Sequence, residues 1–151
     1  MLGLAAGLIV VLCLVVLGVG LSQGDGLFAS SAQPTPNDQE LFNVIYLNAQ
    51  AANNENIPAY MATIHSKSPM YRQTEKMLQD VFSQYDLSFW FYDLQVTGLT
   101  SKEARVHFSL STTRIRGPAF RDNIVTGTMI LRLEDGIWKI YNQEVESTQY
   151  Q

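Results

Sequence analysis

The stretch NIVTGTMILRLEDGIWKIYNQEVES, residues 123–147, decides the fold. Two runs rich in β-branched and aromatic residues flank Asp135-Gly136, the dipeptide that best fits a two-residue hairpin turn. Asn123–Glu134 and Ile137–Ser147 are therefore read as adjacent antiparallel strands. Just upstream, Glu103–Arg116 alternates: Ala104, Val106, Phe108 and Leu110 fall on one face, and Arg105, His107, Ser109 and Ser111 on the other. Leu87–Val96 gives a further strand, dense in aromatics. Upstream of Asp86 the apolar period lengthens from 2 to 3.6. Met70, Thr74, Met77, Leu78, Val81, Phe82 and Tyr85 mark a helical face entered through Ser68-Pro69. Ile57, Met61 and Ile64 mark a short helix capped by Asn56, with Pro58 in its first turn. Phe42, Ile45, Ala49 and Ala52 mark a first helix predicted to start at Thr35-Pro36 and to end at Asn53-Asn54. Three helices followed by four hairpin-linked strands give an α+β domain, residues 38–151, with a four-stranded antiparallel sheet packed on the helices.

The chain's start has a different character. Residues 1–21 carry no charge, and as a helix would span about 31 Å, enough for the roughly 30 Å core of a bilayer. A cleaved signal peptide needs a basic start, and none is present. The expectation is a single transmembrane anchor, with a secreted domain as the alternative if the segment is cleaved. No Lys or Arg precedes Lys67, so charge near the anchor does not fix its orientation. An extracytoplasmic domain at the cell membrane is the working expectation. Residues 22–37, with Gly24, Gly26, Pro34 and Pro36, read as a linker.

Net charge is −4, but residues 66–151 hold ten acidic and ten basic side chains. A neutral body of this kind does not predict nucleic-acid binding. Cys13, the sole cysteine, lies in the apolar segment, and the histidines, His65 and His107, are far apart. No metal site, phosphate loop or cofactor motif is predicted.

The order of elements, the hairpin Asp135-Gly136-Ile137-Trp138-Lys139-Ile140, the stretch Asn54–Pro69 and the joint Gly117–Asn123 together resemble the nuclear transport factor 2-like superfamily, which includes SnoaL-like and ketosteroid isomerase-like proteins. The resemblance covers about residues 38–148 and implies a strongly curved, cone-shaped sheet, the cystatin-like arrangement, with helices closing its concave side. It further implies a pocket between helices and sheet, and homodimers through the outer sheet face. Members range from isomerases to structural assembly domains, so the fold alone does not choose a function.

Candidate site residues follow from phase. Trp138 and Ile140 are predicted to point inward, which would carry Asn142 and Glu144 to the same face; Trp138, Asn142 and Glu144 are the ligand-binding candidates. Glu144 would then be a general base; otherwise the strand leaves the core and Glu144 is in water. His65 ends the second helix, either as an acid–base partner or as a cap on free carbonyls. His107 is read as a surface residue. Arg114, Arg116 and Arg121 flank the Gly117-Pro118 turn, where they could hold an anionic partner or lipid headgroups, or form a solvated hairpin partly neutralised by Asp122. In Phe89-Trp90-Phe91-Tyr92, alternation sends Trp90 and Tyr92 to the face opposite Phe89 and Phe91, a partner surface unless the bent sheet covers both sides. The leading expectation is a membrane-tethered, non-enzymatic domain that mediates protein association or binds a small apolar ligand. The alternative is a SnoaL-like isomerase or hydrolase using Glu144, with His65, on a small apolar substrate.

Overall fold

A computed structural model describes residues 37–151. The element order is α1 (Asp38–Asn53), α2 (Ile57–Ala62), α3 (Tyr71–Gln84), β1 (Asp86–Leu99), β2 (Glu103–Arg116), β3 (Asn123–Glu134) and β4 (Ile137–Tyr150). The strands form one antiparallel sheet in the order β1-β2-β3-β4, as the alternation predicts. The predicted transmembrane segment lies outside the described residues, and no described helix is long and apolar enough to cross a membrane.

Helix boundaries follow local capping chemistry. Asn37, not Thr35, caps α1: its side chain accepts the Gln39 N–H at 2.8 Å. Asn56 caps α2 as expected, accepting from Ala59 N–H at 3.0 Å. The α3 start differs from the Ser68-Pro69 reading. Ser68 Oγ accepts from the Met70 N–H at 3.3 Å and forms a turn, and the helix begins only after Met70.

The core lies between the helices and one face of the sheet. Leu41, Ile45, Ala49 and Ala52 of α1, Tyr60 and Met61 of α2, and Leu78 and Val81 of α3 are buried there. Facing them are Phe89 and Phe91 of β1, Val106 and Phe108 of β2, Val125, Met129 and Leu131 of β3, and Trp138 and Ile140 of β4. Leu41 takes the fully buried place on α1, while Phe42 is half-buried. Removing this much apolar surface from water is the main stabilising term, at about 25 cal/mol per Å².

Both outer strands are held at their free edges. At β1, the Asn53 side chain acts as a substitute strand: Phe89 N–H donates to its Oδ1 at 2.7 Å, and its amide donates to Phe89 O at 3.0 Å. At β4, Ile64 forms a short parallel bridge to Ile140, with His65 N–H donating to Ile140 O at 2.8 Å and Ile140 N–H to Thr63 O at 2.9 Å. Satisfying edge groups in this way removes a template for unwanted strand pairing. Register shifts interrupt β1 between Tyr92 and Gln95, where Asp93 has φ 52°, and β4 after Ile140 and before Ser147. Bulges of this kind bend strands and increase twist, which lets a sheet wrap around helices.

Candidate functional site

Between the three helices and the inner sheet face lies a narrow apolar cavity of about 30 Å³. Ligand sites usually measure roughly 300–1,000 Å³, so in this state the cavity admits no substrate-sized molecule. Phe89, Phe91, Phe108, Phe82 and Tyr60 bring aromatic rings to its wall, and Asn48 and Gln143 bring amide groups. Asn48 is buried and donates to Thr63 Oγ1 at 2.8 Å. The Phe91 and Phe108 rings meet edge to face at 5.5 Å, the arrangement their quadrupoles favour.

The predicted inward pair on β4 is not at this cavity's wall. Leu131 pairs with Ile140, but Ile130 pairs with Asn142, so one extra residue, Tyr141, stands in β4. Because side chains alternate with period 2, this slip reverses the faces from Asn142 to Val145, where a second shift follows. Gln143, opposite Met129, turns to the core side. Asn142 and Glu144 pair with Ile130 and Thr128, Glu144 on the outer face, while Asn142 also lines a small separate cleft with Tyr60, Ile64 and Thr74. Glu144 is exposed and forms an ion pair with Arg105 of β2. Trp138, also a candidate, is buried in the core opposite Leu133 and does not line the cavity.

His65 is buried after α2 and engages other groups. Its Nδ1 accepts the Lys67 N–H at 3.0 Å and lies 3.6 Å from Glu134 Oε1, and its ring meets Tyr141 edge-on at 5.5 Å. Glu134 organises this corner. It accepts from Lys139 Nζ at 2.7 Å and from the Ser66 N–H at 3.0 Å, and it also takes the Ser66 hydroxyl. Those donors, Lys139 first and Ser66 next, hold its carboxyl near pKa 2, down from 4.5. His65 and Glu144 thus have separate partners and do not form an acid–base pair. His107 is half-buried on β2, 3.9 Å from Glu146.

Of the aromatic run, Phe89 and Phe91 are buried while Trp90 is 67% exposed, and Tyr92 is half-buried. Trp90 and Tyr92 stand on the outer face beside Ser111 and Ser109. At the β2–β3 turn, Arg114 Nη1 donates to Pro118 O at 2.9 Å and Gly117 O at 3.2 Å, and Arg121 lies over the Tyr150 ring at 4.5 Å. Among the described residues no group of three His, Cys, Asp or Glu side chains could hold a metal ion.

Sequence reasoning missed Asn48, Gln143, Ser66 and Glu134. Asn48 had a signal: it lies in phase with Ile45 and Ala52, a polar residue on an apolar helical face. Gln143 had none, because its facing depends on the slip at Tyr141.

Residues 43–151 match the family defined by the C-terminal domain of anti-sigma-I factor RsgI9. The chain belongs to that family. Anti-sigma-I factor RsgI9 of Acetivibrio thermocellus is 28% identical over 108 residues, which cover 71% of this chain but 15% of the relative. The chain therefore spans a small part of the curated relative it matches. Among solved structures, an NTF2-like protein of Cytophaga hutchinsonii superimposes with a TM-score of 0.63 at 11% identity, covering 74% of this chain and 98% of that one. A cystatin-like protein of unknown function from Nostoc punctiforme gives 0.60 at 12% identity, covering 72% and 88%. At such identities these likenesses show the nuclear transport factor 2-like fold and nothing of its chemistry.

Proposed function

We propose that residues 38–151 are a non-enzymatic association module of a membrane-tethered regulator related to anti-sigma-I factors, held by residues 1–21 through the linker 22–37. Family membership over residues 43–151 carries this reading. The curated relative is named for opposing a sigma factor, a role exercised by binding, and the family is defined by that protein's C-terminal domain. The site geometry agrees with that role. The cavity between helices and sheet is too small for a substrate in this state, the larger cleft of about 420 Å³ lies along α3 away from both candidate groups, and the two groups on which an isomerase or hydrolase would rely have separate partners. The outer sheet face, with Trp90 standing proud beside Tyr92, offers a protein partner or a second copy an aromatic anchor of the type common at binding hot spots. A small apolar ligand would need the cavity between helices and sheet to widen.

The test is crosslinking of the full-length chain in its native membranes, comparing wild type with Trp90→Glu and Glu144→Gln. Loss of the crosslinked partner in Trp90→Glu, with folding and the Glu144→Gln pattern unchanged, is the expected result. A normally folded Glu144→Gln chain that loses its cellular role, while Trp90→Glu keeps it, would overturn the proposal in favour of chemistry at Glu144.

A further inference from the structure

The β2–β3 turn is the most basic protrusion of the described domain. From Ala104 to Arg121 the sequence contains no acidic residue, while Arg114, Arg116 and Arg121 cluster around residues 114–121. Elsewhere on the sheet the arginines are matched: Arg105 with Glu144, and Arg132 with Glu103 at 2.8 Å. Among the described residues, none of the three turn arginines forms a salt bridge. Asp86 sits opposite Arg116 in the ladder, and Asp122 accepts the Arg114 backbone N–H at 2.8 Å. These two carboxylates moderate the charge without capping a guanidinium.

The turn is also apolar at its tip and held in place. Ile115 is 65% exposed between two arginines, and Pro118 and Ala119 are exposed beyond it. Phe120 folds back against Tyr85 with ring centroids 6.0 Å apart. Gly117, at φ 123°, lies so close to the α3–β1 junction that a Cβ there would come within 2.7 Å of Gln84 O. The exposed side chains therefore project from a fixed base, and Tyr150 supplies an aromatic ring at the margin under Arg121.

We propose that this tip docks on an acidic phospholipid surface, Arg116 meeting phosphodiester headgroups together with the N–H groups that Arg114 does not give to the turn carbonyls and the outer edge of Arg121 over Tyr150, with Ile115 and Pro118 entering the interface. The choice of a bilayer over a soluble anion rests on the tethered reading given above. An anchor at residues 1–21 and a linker of residues 22–37, at up to about 3.6 Å per residue, would keep either end of the sheet within reach of a membrane. Arginine, apolar and tyrosine side chains together at one tip are the mixture that interfaces retain. Each basic side chain near an acidic surface strengthens binding roughly five-fold, and salt weakens it.

The full-length chain, with Cys13→Ser, is reconstituted in vesicles of phosphatidylcholine with or without phosphatidylglycerol. An environment-sensitive fluorophore is placed at Ile115→Cys or, as a control at the opposite end of the sheet, at Ile137→Cys. We expect a blue shift at position 115 only, only with phosphatidylglycerol, reversed by salt and reduced several-fold by Arg116→Gln. Equal responses at both positions, or none at 115 in a chain that resists alkaline extraction, would overturn the docking proposal while leaving the anchor intact. A shift that grows with protein density on neutral vesicles would identify a second copy as the occupant and equally overturn it. If alkaline extraction removes the chain, the tether reading fails. Docking then stands only if the released chain sediments with acidic vesicles at low salt and loses this with Ile115→Ser, a surface change that leaves the fold's melting temperature unaltered.

Discussion

At one end of β3 the chain turns through Asp135 and Gly136; at the other it takes the longer path Gly117–Asp122. Each turn leaves an isoleucine exposed, Ile137 at 61% and Ile115 at 65%. The surroundings differ. The β3–β4 turn is acidic and locked to the helical layer, with Glu134 binding Ser66 and Lys139 beside His65. The β2–β3 turn is basic, with none of its three guanidinium groups in an ion pair among the described residues, and it rests on Gly117 and on the Phe120–Tyr85 contact. One turn is held by polar bonds that depend on a carboxylate's charge. The other combines steric fit at Gly117 with the Asp122 bond to the Arg114 N–H and the Arg114 bonds to the carbonyls of Gly117 and Pro118.

The largest expected effect breaks the steric side of this contrast. Gly117→Ala combines a positive φ with a Cβ pressed on Gln84 O, and should lower stability by about 3 kcal/mol. Gly136 also has positive φ, 78°, but a Cβ there meets nothing within 4 Å. Gly136→Ala should therefore cost only about 1 kcal/mol. Thermal melts of both variants measure the difference, and equal losses would show that backbone conformation alone governs both turns.

The polar side is sharpened by pH. Glu134 is held near pKa 2 in the fold against 4.5 for the free group. A depressed folded pKa means that the charged form contributes stability above about pH 4.5, and that this contribution is lost as pH falls toward 2. Glu134→Gln should reduce stability at neutral pH and flatten its acid dependence across that window. Urea melts at several pH values test this, and an unchanged acid slope would remove Glu134 from the account. The smallest effect should come from Arg121→Gln, which removes the guanidinium from the exposed Tyr150 ring and should cost about 0.5 kcal/mol.

Much of this architecture was legible in the chain. Alternation through Glu103–Arg116 and the Asp135-Gly136 pair located the strands and their hairpin, because a period of 2 and a turn with two positive φ values are local properties. Phe89 and Phe91 were separated from Trp90 for the same reason. Asn53, by contrast, was readable only as a helix terminator; its role as a surrogate strand for Phe89 needs α1 and β1 side by side.

The candidate site marks where local reading stops. The sequence by itself determined that Trp138 and Ile140 face inward and that Asn142 and Glu144 share their parity. The tertiary structure decided that the parity does not hold. Thr63 and His65 bond the backbone of Ile140 from the free edge of β4, and one extra residue follows at Tyr141. Beyond it Gln143 turns to the core and Glu144 to Arg105. A bulge depends on what lies beside the strand, and that neighbour is some seventy-five residues away along the chain, the His65–Ile140 separation, beyond the reach of any periodicity.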